Sequence, residues 1–425
     1  MKFGIFYAHQ IPRPWSGDHE RTFFNDALEQ AEIADRIGID YLWAQEHHFL
    51  EEYSHSSAPE VFLAACSQRT RTIRLGHGVV LMPPAYNHPA RVAERIATLD
   101  LISNGRVDWG TGESSSRLEL EAFGIDYVDK RAMWMEAVRE AVRMVGMEPY
   151  PGFDGQYFSM PCRNIVPKPL QKPHPPLWLA CSNRDTMKLA ARLGMGALTF
   201  AFMDAREAKF WVEEYYEVFR NHCTPIGIEP NPNVAMLAGF MCHEDEDIAQ
   251  QRGLDGLRYF AYGLNHYRTG THVPGRLDMW EEFKKLPPFV MAGTGGISSP
   301  AKIQDYFSTF EAAGVDQLIL LQQSGNYRHE HVCESLELFG TKVLPSFKDR
   351  HDALDRNKRE ALELYTDRAR ANVVPMEPML EVPPVESHQA LMMQANVDHG
   401  RMSGNRSMNA TALWKLHVVG GHPAK

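Results

Sequence analysis

Cysteine is scarce in this sequence. Six stand in 425 residues (Cys66, Cys162, Cys181, Cys223, Cys242 and Cys333), and no two form a C-x-x-C pair. That spacing argues against a disulfide framework or a zinc site, and suits buried reduced thiols. No stretch approaches the about 18 consecutive apolar residues that a membrane-spanning helix needs. The opening Lys2-Phe3-Gly4-Ile5-Phe6-Tyr7 has no signal-peptide apolar region, so the expected location is the cytoplasm. Positive charge is also short: 44 Lys and Arg face 54 Asp and Glu, a formal net charge of −10. An acidic chain suits neither nucleic acid nor an anionic membrane, which leaves small-molecule chemistry. The glycine-rich phosphate turn of a dinucleotide-binding fold is missing too. The first strand is followed instead by His9-Gln10-Ile11-Pro12-Arg13-Pro14.

What is present is an alternation of strand-like and helix-like segments, the pattern of a parallel α/β sheet. Strands are expected at about residues 2–8, 40–44, 73–80, 106–111, 177–181, 197–201, 234–242 and 316–321. Helices lie between them, among them 59–70, 89–102, 131–147, 185–193, 205–222, 299–313 and 329–344. Eight such units predict a TIM (β/α)8 barrel over residues 1–350. Two insertions interrupt it. Residues 149–176 are rich in proline and read as a hairpin-like excursion. Residues 252–296 mix aromatics (Tyr259, Phe260, Tyr262, Tyr267, Trp280) with glycines and read as a lid. Residues 351–425 are a C-terminal helix and an irregular extension, a partner-wrapping arm or a loose tail beyond about 373.

In such a barrel the site lies at the carboxyl ends of the strands. Strand two ends in Glu46-His47-His48-Phe49. Histidine gives and takes protons near neutral pH; a metal pair or a structural histidine would use the same residues. Neighbouring side chains in extended chain point oppositely, so at most one of the two faces the mouth. Strand three ends at Gly76-His77-Gly78-Val79-Val80, where glycine admits a flat ring or simply a bulge. Strand four ends at Gly110-Thr111-Gly112-Glu113 with three serines after it; Thr111 and Gly112 leave room for a ligand. Strand five ends at Cys181-Ser182-Asn183-Arg184-Asp185-Thr186 and runs into a helix. This is either an ordinary helix cap or a phosphate seat with Arg184 beside it. No metal-binding spacing is found.

Together these residues resemble the bacterial luciferase-like flavin monooxygenases over roughly residues 1–345. The likeness is carried by Met1–Phe6, Trp43-Ala44-Gln45-Glu46-His47-His48-Phe49, Leu75–Pro83 with His88-Pro89, Leu99–Arg106 and Ala313–Gln317, in that order. The resemblance implies that His47 is the catalytic histidine. It implies a non-proline cis peptide at Gly78–Val79 against a flavin ring, and Leu198 packed on that ring. It places the flavin phosphate at Ser182, Asn183 and Thr186. Glu113 departs from the pattern, standing where luciferase carries an arginine to the phosphate. Arg184 or Arg117 would then take over, or another flavin-type cofactor would be bound.

The activity so implied uses reduced FMN and O2 to oxygenate a small apolar substrate through a C4a-hydroperoxyflavin, with a separate flavin reductase. Two alternatives stay open: deazaflavin-dependent hydride transfer on the same barrel, and a flavin-binding protein without turnover. The resemblance also implies a homodimer packed through helices at about 59–70 and 89–102. Val61, Ala64, Ala65, Ala93, Ile96 and Ala97 would be its apolar surface, and the tail could reach the partner.

Overall fold

A computed structural model of the protein describes residues 1–385 apart from Ala201, Leu277 and Pro288. Among them, eight parallel strands close into a barrel. They are β1 (Lys2–Tyr7), β2 (Tyr41–Ala44), β3 (Arg74–His77), β4 (Val107–Gly112), β5 (Leu177–Cys181), β6 (Gly196–Thr199), β7 (Val234–Ala238) and β8 (Gln317–Gln322). Neighbours in sequence are neighbours in space. β8 meets β1 along its whole length, from Lys2 opposite Gln317 to Tyr7 opposite Gln322. The expected TIM barrel is therefore the fold, with helices around it.

The amino-terminal half of the lumen is filled by indoles. Trp43 and Trp178 pack edge to face with centroids 5.3 Å apart. Glycine makes the room: a Cβ on Gly76 would lie 2.1 Å from the Trp43 ring, and one on Gly196 2.3 Å from the Trp178 ring. Ring volume and the absence of side chains opposite it are thus one packing decision.

The strand ends differ from the expected ones in two places. Strand three stops at His77, and Val80–Leu81 resumes pairing with β4 across a cis Gly78–Val79 bond. Strand seven stops at Ala238; Met241–Cys242 pairs separately with Ile297–Ser298. The proline-rich insertion does form a hairpin, Tyr150–Asp154 against Ser159–Arg163. The expected lid is mostly helical rather than loop. Residues 252–269 continue the helix Glu246–Thr269, and a short helix Met279–Lys284 follows.

Residues Met1–Met379 form one unit. The expected boundary at 350 falls inside the helix Leu344–Ala371, which belongs to that unit and packs at the amino-terminal end of the barrel. Lys348 reaches Asp40 at 2.5 Å, and the Phe347 ring lies edge-on to Phe3 at 5.1 Å. Residues 386–425, where most of the expected arm falls, lie outside the described residues.

Candidate active site

The chain leaves β2 at Ala44 and places His47 at the carboxyl end of the barrel. Its Nδ1 is 2.8 Å from Oε1 of Glu119, a carboxylate with no exposed side-chain surface. The same Oε1 accepts the His48 amide at 2.8 Å, and Oε2 accepts the Ser114 hydroxyl at 2.6 Å. Burial alone would raise the Glu119 carboxyl. The charge of His47 and these three hydrogen bonds outweigh it and hold the group below its ordinary range. An ionised carboxylate only accepts, so the proton on His47 sits on Nδ1 and Nε2 is the nitrogen left for chemistry.

His48 turns to a different acid. Its Nε2 is 3.0 Å from Glu46 Oε1, which also accepts Asn87 Nδ2 at 2.8 Å; Glu46 Oε2 accepts the Leu81 amide at 2.8 Å. His48 is thereby tied to the loop after β3, with its ring stacked on Tyr86. The two adjacent histidines part, and each meets its own carboxylate.

Below His47 the lumen narrows onto small and aliphatic residues. A Cβ on Gly110 would stand 2.0 Å from the His77 carbonyl and 3.1 Å from both Val79 Cγ1 and Leu198 Cδ1. One on Gly112 would stand 2.5 Å from Val79 Cγ2. Gly78, Val79, Gly110, Gly112 and Leu198 are therefore brought together. Thr111 is not among them. It alternates to the outer face of β4, where its Oγ1 takes the Trp134 indole N–H at 3.1 Å and donates to the Trp178 carbonyl at 3.3 Å. Its side chain is spent on these two neighbours and the residue is wholly buried, which corrects its expected role.

β4 and β5 lie side by side with Thr111 opposite Leu179, so Glu113 and the turn after Cys181 are neighbours. In that turn Asn183 caps the helix Arg184–Arg192. Its side chain accepts the Thr186 amide at 3.0 Å, and Thr186 Oγ1 accepts the Asn183 amide at 3.3 Å. The cap is formed, yet the amides of Arg184 and Asp185 have no partner within the helix, and Ser182 is exposed beside them. Arg184 points elsewhere: its guanidinium is engaged by both oxygens of Glu214, and the side chain is 55% exposed. Arg117 pairs with Glu121 on an outer face. Neither arginine is placed as expected. The cations that stand here are Lys130, 3.1 Å from Glu113, and Arg131, which grips it at 2.5 and 2.9 Å. Burial pushes the Cys181 thiol up to about 12, with the Thr186 hydrogen bond and the charge of Arg131 pulling the other way.

Over the mouth lies an aromatic set: the His47 ring is 5.6 Å from Tyr53, and Tyr53 is 5.5 Å from Phe260 on the lid helix. The lid is fastened by Glu52, whose side chain is fully buried. It accepts the amides of Arg13 (2.9 Å), Met279 (2.6 Å) and Trp280 (3.1 Å) and the Tyr259 hydroxyl (3.1 Å). Among the described residues no cluster of His, Cys, Asp and Glu could hold a metal, and no helix is long and apolar enough to cross a membrane.

A closed barrel with a histidine–carboxylate couple at its carboxyl end defines an enzyme of the TIM-barrel class. The profile described as luciferase-like monooxygenase matches residues 1–317, and the chain belongs to that family. The oxygenase component of a flavin-dependent trigonelline monooxygenase from Acinetobacter baylyi is 24% identical over 359 residues, 82% of this chain and 96% of that one. The solved monooxygenase RslO1 from Streptomyces bottropensis superposes with a TM-score of 0.66 at 26% identity, covering 82% of this chain and 100% of that one. A coenzyme F420 dependent tetrahydromethanopterin reductase from Methanopyrus kandleri shares the fold at a TM-score of 0.59 and 19% identity, covering 81% and 99%. The protein is an oxidoreductase of the luciferase-like monooxygenase type, with flavin-dependent monooxygenases among its relatives.

Proposed function

We propose that the protein is the oxygenase component of a two-component system, taking reduced FMN and O2 and oxygenating a small apolar organic molecule. The observation that carries this is the couple of His47 with buried, ionised Glu119 at the barrel mouth. A separate flavin reductase would supply the reduced flavin, as the name of the Acinetobacter relative, an oxygenase component, encourages. The residues present fit FMN. Unpartnered amides at the start of the helix Arg184–Arg192 and the Ser182 hydroxyl form an anion seat at a helix terminus. Asn183 and Thr186 hold that turn in shape. Lys130 and Arg131 together carry one more charge than Glu113 balances, so the seat is cationic. Val79 and Leu198 would meet the ring across side-chain-free Gly110 and Gly112.

Bound reduced flavin supplies the electrons that activate O2. The chain does the rest. Glu119 fixes the orientation and tautomer of His47, and His47 Nε2 is the atom left to hold or yield a proton. Tyr53, Phe260 and the lid that Glu52 fastens exclude water from the reacting atoms. The rival, deazaflavin-dependent hydride transfer, leaned on Glu113 as an obstacle to a flavin phosphate. Its pairing with Lys130 and Arg131 removes that obstacle.

Anaerobic titration with reduced FMN, oxidised FMN and a deazaflavin separates the two. Reduced FMN should bind at least about tenfold tighter than either of the others, a difference of about 1.4 kcal/mol. Tighter binding of the deazaflavin would make the second reading correct.

A homodimer belongs to the same proposal, on the two helices the sequence suggested (Pro59–Arg69 and Pro89–Ile102) but with partly different side chains. Ala93, Ile96 and Ala97 are buried in the barrel's own packing, whereas Val61 is 66% exposed, Leu101 44% and Ile102 48%. An isologous interface would use these three. Light scattering should give a dimer that Val61→Glu with Leu101→Glu turns into monomer; a monomeric parent chain would contradict it.

A further inference from the structure

The end of the barrel away from His47 holds a cavity of about 320 Å³. It lies between the starts of β1, β2 and β8 and the helix Leu344–Ala371, and Tyr41, Val212, Val315 and Leu362 give it an apolar wall. At its inner limit stands Gln317, the first residue of β8. Gln317 is 2% exposed, and neither Nε2 nor Oε1 of its amide has a hydrogen-bond partner. The Trp43 indole N–H is buried and unpartnered beside it. A Cβ on Gly4 would meet Gln317 Nε2 at 2.9 Å and Trp43 Nε1 at 3.1 Å, so the two polar groups share one corner.

The charges of the rim are largely taken up locally. The Met1 ammonium pairs with Glu311 at 2.9 Å, Lys358 with Asp316 at 2.7 Å and Asp355 with Arg359 at 2.8 Å, while Lys2 lies over the Tyr41 ring; Arg220 and His351 complete the rim. An ion carried in as far as Gln317 would lose its hydration without a counter-charge. A neutral group would not. This end of a barrel ordinarily serves stability alone, and a floor built only for stability gains nothing from an unpaired buried amide.

We propose that this cavity is a second binding site, for a small neutral molecule with an apolar body and a carbonyl, amide or hydroxyl head that pairs with the Gln317 amide when that side chain turns from Gly4 and Trp43 toward the cavity. Its volume is at the lower end of small-molecule pockets, about 300–1,000 Å³. The site is separate from the catalytic mouth and does not depend on which flavin is used there.

Benzamide is a suitable probe, because its amide can donate to Gln317 Oε1 and accept from Nε2 while its ring lies on the wall. Calorimetric titration of the full chain should show saturable binding that weakens about tenfold or more in Gln317→Leu. Toluene, which has no polar head, should bind Gln317→Leu at least as well as the parent. Ala361→Trp, at the exposed rim on the helix Leu344–Ala371, should block benzamide with the melting temperature and FMN affinity kept. Equal benzamide affinity in the parent and Gln317→Leu overturns the proposal. So does the absence of parent binding up to about 10 mM, an affinity of only about −2.7 kcal/mol. A benzamide-soaked crystal with only ordered water on Gln317 overturns it as well.

Discussion

His47 and Glu119 stand 72 residues apart in sequence and 2.8 Å apart in the fold. His47 was legible because a titratable side chain at a barrel strand end has few structural uses. Glu119 was not. In Ser116-Arg117-Leu118-Glu119 it completes the pattern of a capping box, a local hydrogen-bonding device. The Ser116 side chain caps nothing, and Glu119 turns to the mouth instead. Lys130 and Arg131 were hidden similarly, as ordinary first-turn residues of the helix Lys130–Gly146. His47→Ala should lower turnover by about 10²-fold or more with flavin affinity little changed; near-parent activity would remove His47 from the chemistry. Glu119→Gln keeps the shape and removes the charge. It should lower kcat by about tenfold, leave KM nearly unmoved and change the pH–rate profile, which loss of packing alone would not do. Unchanged kcat and pH profile would make Glu119 a purely structural acid.

At the scale of elements, the eight strands and most helices could be read from periodicity, and the aromatics of residues 252–296 marked that segment as a cover. Its helical form could not be read, because Gly253, Gly256 and Gly263 weaken the helix pattern. Packing explains them: a Cβ on Gly256 would lie 2.0 Å from the Tyr327 ring. Tertiary fit has overridden propensity. The other hidden feature is Glu52, one carboxylate joining the loop after β1, the loop after β2 and the lid. Glu52→Ala strands several buried donors, each costing about 1–3 kcal/mol. Hydrogen exchange should then quicken in residues 279–284 well before the helix His19–Ile37 is affected. Uniform exchange across both segments would deny Glu52 its fastening role.

At the scale of the whole molecule, two buried histidines tie stability to pH. Burial lowers His9 to about 3, with the charge of His55 adding to it, and lowers His77 to about 4. An unfolded histidine titrates near 6.5. Between about pH 4 and 6.5 the unfolded chain therefore binds two protons that the folded chain refuses. Stability is full above that range and falls as pH is lowered, by about 1.4 kcal/mol per pH unit for each group. Melting at pH 5 should come several degrees below melting at pH 7.5. His9→Asn, which tolerates the φ of 50° and cannot titrate, should reduce the difference; equal melting of the parent at both pH values would contradict this. The central claim concerns oxygen, and one rapid-mixing measurement tests it. The complex of reduced FMN with the protein, formed without air, is mixed with oxygenated buffer and flavin absorbance is followed in the parent and in His47→Ala. A water-excluding oxygenase site predicts reoxidation at least about tenfold slower than for free reduced FMN, with altered decay in His47→Ala. Reoxidation at the free-flavin rate in both proteins would contradict the account.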